Sequence, residues 1–114
     1  MANTKDRRFY RLEPDETSPV LLHLQSKTYK TVDISITGLK IEVDEMRPEW
    51  KIGEIIDVII EFSNKKLHPP IDIKTKICYL GETHLGLEYV DMTVLDKRNI
   101  SEYVLQRTKS MGLW

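Results

Sequence analysis

The run Ile55-Ile56-Asp57-Val58-Ile59-Ile60-Glu61-Phe62 decides the fold class. In an extended chain successive side chains point to opposite faces, so Ile56, Val58, Ile60 and Phe62 share one side, and Ile55, Asp57, Ile59 and Glu61 the other. The run is rich in β-branched residues and its period is two, which reads as a strand with one face in a core. The same alternation recurs downstream. Ile71, Ile73, Thr75, Ile77 and Tyr79 alternate with Asp72, Lys74, Lys76 and Cys78, and Gly81-Glu82-Thr83 makes a hairpin connection to Leu85, Leu87 and Tyr89. Upstream, Leu39, Ile41 and Val43 alternate with Lys40, Glu42 and Asp44. Tyr29 to Ile36 sets Val32, Ile34 and Ile36 on the inner face, which places Asp33 and Ser35 together on the outer one. Val20, Leu22 and Leu24 begin the series.

The period changes after Asp91. Residues 96–107 hold good helix formers, with Ile100, Tyr103, Val104 and Arg107 at helical spacing. Thr93 or Asp96 is the expected N-cap and Gly112 the expected stop. Six short strands followed by one helix predict a mainly β domain: a small six-stranded antiparallel barrel with a C-terminal α-helix. The expected division is a single domain over 1–114, with an arm at 1–19, the barrel at 20–90 and the helix at about 94–110. Residues 1–19 are polar and charged, and Glu13 to Pro19 reads as an exposed loop, because Pro14 and Pro19 push their predecessors out of helical geometry.

Composition narrows the function. The 114 residues carry 17 Lys and Arg against 18 Asp and Glu, a formal net charge of −1, so no whole-molecule field attracts nucleic acid or a membrane surface. No stretch approaches the ~18 apolar residues of a membrane span, and charges at Lys5, Asp6, Arg7 and Arg8 stand where a secretory leader needs an apolar run. A cytoplasmic protein without membrane insertion is expected. Cys78 is the single cysteine, which leaves no disulfide framework, and His23, His68 and His84 show no ligand spacing with it or each other. No metal and no catalytic residue is expected. Gly-x-Ser-x-Gly, phosphate-loop and dinucleotide fingerprints are all missing, so the chain reads as non-enzymatic. A barrel for single-stranded nucleic acid needs aromatic platforms on a basic face; the outward positions here mix Lys40, Glu42, Asp57, Glu61 and Lys74.

One concentrated feature remains. Three of the six arginines, Arg7, Arg8 and Arg11, lie within five residues of each other in the arm. Such a density of guanidinium is poor core material and suits an anion. Arg7-x-x-x-Arg11, then 21 residues, then Asp33-x-Ser35-x-x-Gly38, resembles the signature of the PilZ domain. Gly86-Leu87-Glu88-Tyr89 and the following helix resemble the end of that domain, so the likeness runs over roughly residues 6 to 107. The family's members are six-stranded barrels with a C-terminal helix that receive the bacterial second messenger cyclic di-GMP.

The resemblance implies that Arg7 and Arg11 meet phosphate and guanine, that Asp33 and Ser35 meet guanine edges, and that Gly38 shapes the loop. Arg8 is an expected third contact. The chemistry suits those roles: guanidinium pairs bidentately with phosphate or with the O6/N7 edge of guanine, and a carboxylate accepts from guanine's other edge. Gly38 is expected to supply positive φ in the turn and close approach to the ligand. The implied function is a cyclic di-GMP receptor or adaptor with a downstream protein target, in motility or biofilm regulation and with no other cofactor. The alternative is a PilZ-like interaction module that binds no nucleotide. Monomer and dimer, and one or two ligands per domain, stay open.

Overall fold

The structure is a computed structural model that describes residues 12–14 and 18–110. The elements are β1 (Val20–Leu24), β2 (Lys27–Ile34), β3 (Gly38–Glu42), β4 (Ile55–Phe62), β5 (Ile71–Leu80), β6 (His84–Val90) and α1 (Val94–Ser110). The strands close into an antiparallel barrel in the order β1-β2-β3-β6-β5-β4, with β4 returning to β1 through Val20↔Phe62 and Leu22↔Ile60. Closure leaves no unpaired sheet edge among the described residues.

The alternation in the sequence becomes the core. Ile56, Val58, Ile60 and Phe62 are buried while Ile55 and Ile59 are exposed, and Leu22, Leu39, Ile41, Leu85 and Leu87 fill the interior. Each such side chain contributes about 1.5–3 kcal/mol when fully buried. β1 and β2 join through Gln25 and Ser26, whose φ values are 51° and 71°. A two-residue turn with both residues left-handed matches the twist of the flanking strands. It starts β2 two residues ahead of the expected Tyr29, and no Asn-Gly or Asp-Gly pair announces it.

Two β-bulges correct the sequence reading. In β2 the register shifts between Thr31 and Asp33, so Thr31 and Ile34 are buried whereas Val32 and Ile36 are only partly so. A bulge inserts one extra residue and turns the side chains beyond it by one face. In β5 the shift lies between Ile77 and Tyr79. Tyr79, expected inside, is 49% exposed.

α1 is capped by Thr93. The Asp96 N–H donates to Thr93 Oγ1 at 3.0 Å, and the Thr93 N–H faces Asp96 Oδ2 at 3.5 Å, a reciprocal capping arrangement. The helix buries Ile100, Tyr103 and Val104 against the barrel. The Tyr103 ring lies 4.6 Å from that of Phe62 and 5.4 Å from that of His68, centroid to centroid. Burial pushes the His68 imidazole pKa down, with Glu102 opposing.

Leu12 is a core residue the sequence reading did not single out. Just ahead of the stretch read as an exposed loop, it is 1% exposed and belongs to the core. Its N–H and carbonyl exchange two 2.8 Å hydrogen bonds with Ile34, on the side of β2 that β1 leaves uncovered beyond Lys30. The antiparallel order places the end of β2, the start of β3, the end of β6 and Phe62 at one rim of the barrel. Leu12 therefore lies at the same rim from which α1 departs.

Candidate functional site

The segment Asp33-Ile34-Ser35-Ile36-Thr37-Gly38 links β2 to β3 at that rim. Ile34 spends both backbone groups on Leu12, and the Ser35 N–H donates to the Gly38 carbonyl at 2.8 Å. The Ser35 hydroxyl accepts from the Thr37 N–H at 3.2 Å and the Gly38 N–H at 3.3 Å. It also lies 3.1 Å from Thr37 Oγ1 and 3.3 Å from the Gly38 carbonyl. One O–H and two lone pairs are thus engaged within the turn. With its hydroxyl closing the turn, the Ser35 carbonyl accepts the Tyr89 O–H at 3.1 Å, and the Tyr89 N–H donates to the Thr37 carbonyl at 3.0 Å.

This arrangement revises the expected geometry of Asp33 and Ser35. They do not project from one strand face, because β2 ends at Ile34 and the bulge precedes it. Asp33 is half-buried on β2, and Ser35 is fully buried beyond it. Ser35 shapes the loop from inside, and the partly exposed Ile36 and Thr37 are what the loop presents.

Gly38 is also corrected. Its φ is not positive; among the described glycines only Gly53 is left-handed. Gly38 instead opens β3 opposite Glu88. A Cβ there would sit inside van der Waals distance of the Leu87 carbonyl oxygen and 3.2 Å from Glu88 Cα. The glycine lets β3 lie close on β6, which keeps Thr37 and Ser35 within reach of Tyr89.

Arg7, Arg8 and Arg11 lie outside the described residues. Leu12, next in sequence to Arg11, faces Ile34, which stands between Asp33 and Ser35. Leu12 and Ile34 are thereby joined through one pair of backbone hydrogen bonds. Sequence reasoning read Tyr89 as core and as part of the PilZ-like end, and missed its hold on the loop. The signal was present: a tyrosine on the inward row of Leu85 and Leu87 carries an O–H that needs a buried acceptor. Among the described residues no group of three or more His, Cys, Asp or Glu is arranged to hold a metal ion, and no helix is long and apolar enough to cross a membrane.

A family model described as the PilZ domain matches residues 5–106. The chain belongs to the PilZ domain family. Its barrel resembles the PilZ domain of YcgR from Escherichia coli, solved with c-di-GMP, at a TM-score of 0.73 and 11% identity, covering 92% of this chain and 93% of that one. It resembles MrkH of K. pneumonia in its c-di-GMP complex at a TM-score of 0.78 and 11% identity, covering 93% of this chain and 54% of that one. The motility inhibitor MotI/DgrA of Bacillus subtilis matches with a TM-score of 0.74 and 16% identity, over 91% of this chain and 51% of that one. This chain thus spans about half the length of the last two proteins. No curated protein matches the sequence. At these identities the structural likeness is one of fold, and the PilZ assignment rests on the family model.

Proposed function

We propose that this PilZ domain is a non-enzymatic receptor for cyclic di-GMP, and that ligand binding changes the surface it offers to a protein partner in the cytoplasm. The observation that carries the reading is the double hydrogen bond between Leu12 and Ile34. It sets Leu12, the residue after Arg11, beside the Asp33–Gly38 segment, which supports a reading in which one anionic dinucleotide reaches both. In this reading Arg7, Arg8 and Arg11 take phosphates and a guanine O6/N7 edge. Asp33 accepts from the N1–H and N2 donors of a guanine, and the buried Ser35 hydroxyl and Gly38 hold the loop that meets the ligand. The solved complexes of YcgR and MrkH with c-di-GMP support the ligand class, and MotI/DgrA, an inhibitor of motility, supports a motility or biofilm role.

The energetics fit a switch. Ordering about seven arm residues costs on the order of 1–2 kcal/mol each in backbone entropy. Charge-assisted hydrogen bonds return ~1.5–3 kcal/mol each, so several must form together before ligand can fix the arm. The site adjoins the root of α1, since Tyr89 is bonded to the loop and Thr93 caps the helix four residues later. A partner reading the arm and the helix would sense the ligand directly.

Titration calorimetry with cyclic di-GMP tests the reading. Saturable heat is expected, mostly removed by Arg11→Ala or Asp33→Ala and unaffected by Arg98→Ala on the exposed face of α1. An absence of heat well above micromolar ligand would sink it, in favour of an interaction module that binds no nucleotide. A strong loss from Arg98→Ala would mean the site lies elsewhere.

A further inference from the structure

The side of α1 turned away from the barrel is partly apolar. At about 100° per residue, Val94, Leu95, Arg98, Glu102 and Leu105 share an arc about 100° wide, opposite the Ile100 side chain that enters the core. Val94 is 85% exposed, Leu95 59% and Leu105 42%. The outer face of a helix on a globular domain is ordinarily polar. A single exposed leucine needs no explanation, but three apolar side chains on one stripe form a patch. Propensity does not account for Val94, since a β-branched residue is only a middling helix former. The order of the stripe selects its occupant. Apolar side chains stand at both ends and a charged pair between them, with Arg98 Nε 3.7 Å from Glu102 Oε2. That is long for a charge-assisted hydrogen bond, ~2.7–2.9 Å, and arginine ahead of glutamate is the weaker order along a helix. The stripe therefore reads nearly the same in both directions. A second α1 laid antiparallel across the first sets its Leu105 over Val94 and Leu95, and its Glu102 opposite Arg98.

We propose that α1 is a contact between two copies of this chain, which pack their outer helix stripes antiparallel about a two-fold axis. The two-fold repeats each contact, so the apolar ends and the central charges are complementary to themselves, as an isologous interface requires. The described strands close on one another, so pairing through strand edges is not open to them and association falls to a face. The contact is independent of the receptor reading: it uses no residue of the arginine arm or of the Asp33–Gly38 loop, and it forms without ligand. Five side chains per copy make an interface smaller than the ~800 Å² per partner of a stable complex. A weak dimer follows, half-formed at roughly 10 μM to 1 mM protein.

Sedimentation equilibrium of the chain without nucleotide, across that concentration range, tests the contact. Arg98→Glu alone and Glu102→Arg alone each set like charges against one another across the two-fold, and each should weaken the dimer at least about tenfold. The double exchange, Arg98→Glu with Glu102→Arg, restores the opposition and should return the dimer to within about threefold of the wild type. Ile59→Asp, at an exposed position of β4, should leave it unchanged. In amide spectra of the wild type, the shifts that follow dilution should fall on residues 94–105. A wild type that stays monomeric at the top of the range, single exchanges that dimerise as tightly as the wild type, or dilution shifts on another face of the barrel would overturn the contact. Each of those results would leave the receptor reading intact, and an absence of cyclic di-GMP binding would leave the dimer intact.

Discussion

Replacing Gly38 by alanine probes the contact that holds the loop in place. The added methyl would press on the Leu87 carbonyl oxygen and come within 3.2 Å of Glu88 Cα. Carbon and oxygen rest at about 3.3–3.6 Å even in a close C–H···O contact, so β3 and β6 would have to part by on the order of 1 Å. Parting stretches the 3.0 Å bond from Tyr89 N–H to the Thr37 carbonyl and draws the Tyr89 hydroxyl from Ser35. Overpacking costs typically ~1–3 kcal/mol, and each weakened hydrogen bond up to about 1 kcal/mol. The total is about 2–4 kcal/mol, which at roughly 4 °C per kcal/mol for a domain of this size lowers the melting temperature by about 8–16 °C. Gly53→Ala is the comparison. Its φ is +92° but nothing lies within 4 Å of the added methyl, so the cost there is conformational, about 1 kcal/mol. Thermal unfolding of the two variants should place Gly38→Ala clearly below Gly53→Ala. The reverse order would refute the reasoning that strand approach, and not loop conformation, demands the glycine.

Three further outcomes follow from the same geometry. Tyr89→Phe removes the donor to a buried Ser35 carbonyl and should cost about 1–3 kcal/mol in urea unfolding, with a measurable loss of cyclic di-GMP affinity, while a variant as stable and as tight as the wild type would free the loop from this anchor. Leu12→Ala empties a core position that is 1% exposed; it should cost ~2–5 kcal/mol and weaken binding beyond what the stability change explains. His68 gives a pH signature. Its folded pKa lies below the ordinary imidazole value of 6.5, first because burial disfavours the charged form. The unfolded chain therefore binds the extra proton first, and stability falls as pH drops from 6.5 toward the folded pKa. Melting temperature measured from pH 7.5 to 5 should decline less in His68→Phe than in the wild type, and parallel curves would contradict the assignment.

The barrel was legible because five segments alternate with period two, and Ile56, Val58, Ile60 and Phe62 landed inside as the spacing requires. What the sequence concealed sits at irregularities of the ladder. A bulge adds one residue without changing composition, so Tyr79 and Val32 turned from the faces their spacing assigned. The Gln25–Ser26 turn uses left-handed residues that are not glycine, and composition gives no sign of that. Leu12 is one apolar residue among charges, and only its pairing with Ile34 distinguishes it from an exposed leucine. At the candidate site the residue types were legible while their use was not. Ser35 read as a guanine contact, and its hydroxyl also accepts from the Thr37 and Gly38 N–H groups within the turn. Gly38 looked like a left-handed turn residue, but a neighbouring strand demands it.

The most direct measurement of the central claim is amide hydrogen exchange across the whole chain, with and without saturating cyclic di-GMP. If the arm and the loop close on one ligand, residues 5 to 13 and 33 to 38 gain protection together, and Arg11→Ala abolishes the gain in both segments. Unchanged exchange in residues 5 to 13 at saturation, or protection confined to a different face of the barrel, would contradict the account.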